Sequence, residues 1–118
     1  MYKQGDILLI PIPFSDLTSY KKRPVLVISK SEYNNKTEDL VVVAITSNLE
    51  SKDYSIQFTS EDLLEGTLKV TSCIRVDKIY TLSKNIVIKK FGATNMKILE
   101  KVKLDLNKLI NNEDNKNQ

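Results

Sequence analysis

Leu40-Val41-Val42-Val43-Ala44-Ile45-Thr46 is the stretch on which the fold turns. It is a continuous apolar run rich in β-branched residues, the pattern of a central strand covered on both faces, and Thr46-Ser47-Asn48 closes it. Immediately upstream, Ser31 to Asp39 carries Asn34, Asn35 and several charges and predicts a turn or loop. Before that, Pro24-Val25-Leu26-Val27-Ile28-Ser29 predicts a second strand. Asp6 to Phe14 is another short apolar run, a strand whose end is marked by Pro11 and Pro13; prolines there imply a sheet edge. Ser15 to Arg23 is polar and reads as a loop, making the first two strands a hairpin with a long basic tip.

Downstream, Tyr54 to Phe58 predicts a strand, and Thr59-Ser60-Glu61-Asp62-Leu63-Leu64-Glu65-Gly66 has a hydroxyl capping signal ahead of a turn ended by glycine, which fits a single helical turn. Leu68 to Lys78 alternates, with Leu68, Val70, Ser72, Ile74 and Val76 on one face and Lys69, Thr71, Cys73, Arg75 and Asp77 on the other. Ile86 to Ile88 predicts one more short strand. From Thr94, the residues Leu99, Val102, Leu106, Leu109 and Ile110 recur at helical spacing, an amphipathic helix of about four turns. Many short strands and one late helix predict a mainly β (α+β) domain, a small strongly bent sheet or barrel with the helix packed on it. A doubly wound parallel sheet would need several crossover helices. The expected organisation is one domain over residues 1–112 and a polar disordered tail over 113–118.

Composition narrows the chemistry. At 118 residues, 41% hydrophobic and 28% charged, the chain has the make-up of one globular domain. It has no apolar run of membrane-spanning length and no signal-peptide pattern at its start, so a cytoplasmic protein is expected. A net charge of +3 favours an anionic partner only weakly. With one cysteine and no histidine there is no internal disulfide and no donor set for structural zinc, so no metal or cofactor is expected. The missing histidine also removes Ser-His and Cys-His catalysis. Of 18 basic residues only Arg23 and Arg75 are arginines, and both sit where loops meet apolar runs. Guanidinium forks match phosphate oxygens in a way an ammonium does not.

The order Gly5-Asp6-Ile7, Pro13-Phe14-Ser15-Asp16, Lys22-Arg23-Pro24-Val25-Leu26-Val27-Ile28-Ser29, Ala44-Ile45-Thr46-Ser47 and Arg75-Val76-Asp77-Lys78-Ile79 with Thr81-Leu82 resembles the PemK/MazF toxins of toxin-antitoxin pairs, from about Tyr2 to Ile110. The resemblance implies an SH3-like barrel, a homodimer, and a metal-independent endoribonuclease that cuts single-stranded mRNA and is restrained by a cognate antitoxin. It also implies catalytic roles for Arg23 and Thr46, as in MazF-like members, and for Arg75 and Asp77, as in PemK-like members. The remaining candidate RNA contacts are Ser15, Asp16, Tyr20, Lys21, Lys22, Ser47, Asn48 and Thr71. Some PemK-like members place a histidine before the Arg-Pro pair, where this chain has Ser19, Tyr20 and Lys21; the departure leaves the MazF-like mechanism intact.

Each site residue also has a plain structural reading. Arg75 and Asp77 on one strand face make a surface ion pair worth about 0–1 kcal/mol, Thr46 and Ser47 serve a strand end, and Tyr20, Lys21 and Lys22 solvate a loop as readily as they bind RNA. Cys73 reads as an inert filler. A rival function on the same fold is gyrase inhibition without cleavage, and a third is an RNA-binding module that does not cut.

Overall fold

The computed structural model describes residues 2–13, 20–49 and 53–112. Among the described residues, seven strands and two α-helices follow in the order β1 (Asp6–Pro13), β2 (Tyr20–Val27), α1 (Ser31–Lys36), β3 (Asp39–Thr46), β4 (Ser55–Phe58), β5 (Leu63–Glu65), β6 (Ser72–Ser83), β7 (Lys89–Thr94) and α2 (Met96–Ile110). Every pairing is antiparallel, and the strands form one sheet in the order β4-β6-β3-β2-β1-β7-β5. The protein is mainly β, a curled sheet carrying a C-terminal helix. Among the described residues no helix is long and apolar enough to cross a membrane.

Both faces of the sheet are buried at its centre, as the unbroken apolar run of β3 predicts. Val43 and Ile45 face an inner core with Ile7, Leu26, Ile56, Phe58, Ile74 and Val76, closed by Ile98 and Val102 of α2. Leu40 and Val42 face an outer core with Leu8, Ile10, Val25 and Val27, against which Tyr2, Leu82 and Val87 pack. The helix begins at its cap Asn95, whose side chain accepts the Ile98 N–H at 2.9 Å. Its apolar stripe is buried at Leu99 and Val102, partly covered at Leu106, and open at Ile110, which is 75% exposed.

Several expectations need correcting. Residues 20–23, expected in a loop, lie in β2, because β1 continues to Pro13 and offers Ile10, Pro11, Ile12 and Pro13 as pairing partners to Arg23, Lys22, Lys21 and Tyr20. The edge implied by the prolines is real in part, since β7 pairs only with Asp6 to Leu9 and leaves that side of Pro11 and Pro13 without β7. Between β2 and β3 the chain forms α1 rather than a loop, anchored by buried Asn34. Its amide donates to the carbonyls of Tyr2 at 3.2 Å and Ser29 at 3.0 Å and accepts the Ser29 hydroxyl. The turn after Thr59 is a 3-10 turn with reciprocal capping between Thr59 and Asp62, but Leu63 to Glu65 continues as β5. Gly66 has φ +87°, and a Cβ there would lie 2.6 Å from the Phe91 carbonyl oxygen, so this crossing over β7 requires glycine.

Leu68 to Thr71 precede β6 rather than belonging to it, and the alternation assigned there fails at two positions. Val70 is 58% exposed, and Cys73 is buried rather than on a polar face. Ile86 closes a 3-10 turn capped by Ser83, and the last strand starts at Lys89. The anticipated tail, 113–118, lies outside the described residues.

Candidate active site

β2, β3 and β6 lie side by side, and their register brings distant residues together. Val25 pairs with Ala44, so Arg23 and Thr46, each two residues further along the same face, come opposite one another just past the last paired positions. Ala44 also pairs with Arg75, and Thr46 with Cys73, on the other side of β3. Arg23, Thr46 and Arg75 therefore share one face, floored by Val25 and Ala44. Together with Pro24, Ile45, Asn48, Lys78 and Tyr80 they line a cleft of about 290 Å³. Among the described residues the lining holds two guanidiniums and an ammonium and no carboxylate.

Each polar group is poised differently. The Thr46 hydroxyl oxygen accepts the Asn48 N–H at 3.1 Å, which tethers the strand end and leaves its proton free to donate into the cleft. The Arg75 Nη2 lies 3.4 Å from the Asp77 carboxylate, with side chains 19% and 32% exposed. This is the surface pair foreseen as the plain reading, except that the guanidinium is also part of the cleft wall. Arg75 Nε is buried with no hydrogen-bond partner among the described residues, and so is the hydroxyl of Ser55, which pairs with Arg75 across β4 and β6. Two orphaned donors on opposed residues are costly in a folded chain unless a ligand satisfies them.

Among the other candidates, Asn48 lines the cleft and Ser47 is exposed just beyond β3. Lys21 is exposed two residues from Arg23, on the same face, whereas Lys22 falls on the opposite face. Asp77 touches Arg75 but does not line the cleft. Thr71 is not brought to the arginines; it lines a separate depression with Thr59, Ser60 and Lys69. Ser15 and Asp16 lie outside the described residues, as does the side chain of Tyr20. Lys78 and Tyr80 were not singled out by sequence reasoning. Their signal, a cation and an aromatic two apart after the Arg-x-Asp, is concealed by an irregularity in β6. Among the described residues no group of three or more His, Cys, Asp or Glu side chains could hold a metal ion.

Comparison with known proteins agrees with this architecture. A family model described as PemK-like, MazF-like toxin of type II toxin-antitoxin system matches residues 3–110. No curated protein is a match in sequence. Among solved structures, a MazE-MazF crystal structure from Deinococcus radiodurans superposes with a TM-score of 0.76 at 17% identity, over 92% of this chain and 95% of the other. An endoribonuclease from a mycobacterial species gives 0.73 at 20% identity, over 91% and 88%. A mycobacterial endoribonuclease in complex with its cognate antitoxin gives 0.71 at 18% identity, over 92% and 93%. At these identities the structures share the fold, while the family match spans nearly the whole sequence. The chain belongs to the PemK-like, MazF-like toxins of type II toxin-antitoxin systems.

Proposed function

We propose that this toxin is a metal-independent, sequence-selective endoribonuclease that cuts single-stranded mRNA in the cytoplasm. The observation that carries the reading is the convergence of Arg23, Thr46 and Arg75 from three strands on one cleft whose charged lining, among the described residues, is cationic. The 2′-oxygen of a nucleotide attacks the adjacent phosphorus, the bond to the 5′-oxygen breaks, and the proton passes overall from the 2′-hydroxyl to the leaving oxygen. The products are a 2′,3′-cyclic phosphate and a 5′-hydroxyl, with no co-reactant consumed. The protein's task is to hold the phosphoryl oxygens and stabilise the charge that develops on them. Arg23, the Arg75 guanidinium and the Thr46 hydroxyl are the donors for this. Asp77 acts as a positioning residue that fixes Arg75 through Nη2, because it stands outside the cleft. Single-stranded RNA is the substrate because its backbone can adopt the in-line geometry.

A cognate antitoxin restrains the toxin by laying an acidic segment across the cleft, and the toxin is a homodimer, for which the exposed Met96, Leu104 and Ile110 of α2 supply apolar surface. The test is incubation of the protein with long single-stranded RNA in excess EDTA. Wild type should give discrete cuts with 5′-hydroxyl ends, and Arg23→Ala should lose about 100- to 1,000-fold in rate. Intact RNA with folded wild type would overturn the nuclease reading in favour of a non-cutting toxin.

A further inference from the structure

If β6 ran straight, Asp77 would sit in the cleft. Ala44 pairs with Arg75, so a regular antiparallel ladder would set Val43 against Val76 and Val42 against Asp77. Instead Val43 pairs with Ile79 and Val42 with Tyr80, so three residues of β6 are taken up at one step of β3. Val76 turns into the inner core, where it is fully buried and its N–H donates to the Tyr54 carbonyl at 2.8 Å. Asp77 turns to solvent, and Lys78 and Tyr80 enter the cleft lining. A bulge beside a site re-aims side chains in this manner. Here it exchanges an anion that would repel phosphate for a cation and an aromatic ring.

Tyr80 is 49% exposed, a large ring left open at the edge of the outer apolar core. Its partner Val42 is two residues along β3 from Ala44, the partner of Arg75, so the Tyr80 and Arg75 backbone positions are offset by roughly 7 Å along the sheet, and both side chains line the same cleft. A flat π-face in one cleft with a cationic phosphate clamp suits a nucleobase next to the bound phosphate, and stacking of this kind tolerates no substitute without a ring.

We propose that Tyr80 is a base-stacking residue, holding the nucleobase adjacent to the phosphate bound by Arg23 and Arg75, with Lys78 on the neighbouring phosphate. The proposal rests on the ribonuclease reading above. Its test uses a short labelled 2′-O-methyl oligonucleotide, uncuttable because the attacking hydroxyl is blocked, and copies with one abasic position each, titrated by fluorescence anisotropy. Wild type should lose about tenfold or more in affinity at one abasic position. Tyr80→Phe should bind within about threefold of wild type and keep that sensitivity; Tyr80→Leu should lose about tenfold and respond no further to the missing base. Arg23→Ala should weaken intact and abasic oligonucleotides alike. Tyr80→Leu binding like wild type overturns the stacking assignment and leaves the ribonuclease reading standing. Wild-type binding that is equal at every abasic position does the same without any variant. Wild type that binds no oligonucleotide overturns both.

Discussion

The two faces of this sheet are built from the same kinds of residue and finished differently. The inner face is closed: Phe58, Ile74, Val76, Ile98 and Val102 are all within 2% of complete burial, with a helix laid over them. The outer face has an equally apolar floor in Leu8, Val25 and Val42, but at one end it is walled by Arg23, Arg75 and Lys78, and Arg75 Nε there has no hydrogen-bond partner among the described residues. Neighbouring strands thus separate stability from chemistry, because side chains alternate between faces and one face can be sealed while the other keeps an opening.

The sharpest way to break this division is to strike each face and read both outputs. Phe58→Ala should cost about 3–5 kcal/mol in urea unfolding, as a cavity left in the inner core, while the fraction that remains folded keeps its cleavage rate. Arg23→Ala should do the reverse, losing the 100- to 1,000-fold in rate already stated with an unfolding midpoint near that of wild type. A large stability loss in the arginine variant would show that the cleft wall is part of the core. A finer cut is Asp77→Asn. If the carboxylate only holds Arg75, the rate falls by less than about tenfold, in keeping with a part-exposed ion pair, and the acid limb of the pH–rate profile stays. If it is the general base, the loss is about 100-fold or more and that limb vanishes.

The smallest effect concerns the far edge of the sheet, where Lys90 bridges Glu65 at 3.0 Å and buried Asp6 at 3.4 Å. The hydrogen bond to Glu65, opposed by burial and aided by the charge of Asp6, raises the Lys90 pKa above 10.5. A raised folded-state value means this contribution is fully present below the unfolded pKa and is lost as pH rises through the folded one. Unfolding midpoints of wild type and Lys90→Met should differ at pH 9, and the gap should narrow as pH rises through the raised folded-state pKa of Lys90. A gap that widens with pH would reverse the assigned sign.

These experiments also bear on what a reader of the sequence alone could see. The β3 run, the capped turn at Thr59 and the helical stripe of α2 were legible because each depends on residues within a few positions of one another. The strand character of Tyr20 to Arg23 was not, since it comes from pairing with Ile10 to Pro13 rather than from its own polar composition. Nor was α1, a short segment of modest propensity held by Asn34 reaching Tyr2, 32 residues away in the chain. Of the site, Arg23 and Arg75 stood out by type and position and Thr46 only through the family resemblance, whereas Thr71 followed an alternation that does not begin until Ser72.

The sequence by itself determined that the protein is a mainly β domain with a closing helix, and that its two arginines flank apolar strands. These are matters of local pattern, carried by β-branched runs and a 3.6-residue period. Tertiary structure alone decided which residues meet. Arg23, Thr46 and Arg75 share a cleft through the registers of β2 on β3 and β3 on β6, and the bulge in β6 determines that Tyr80 rather than Asp77 completes it. Register is chosen by contacts between segments some thirty residues apart, and a shift there turns a side chain to the other face, so it leaves no mark on the local pattern from which a strand is recognised.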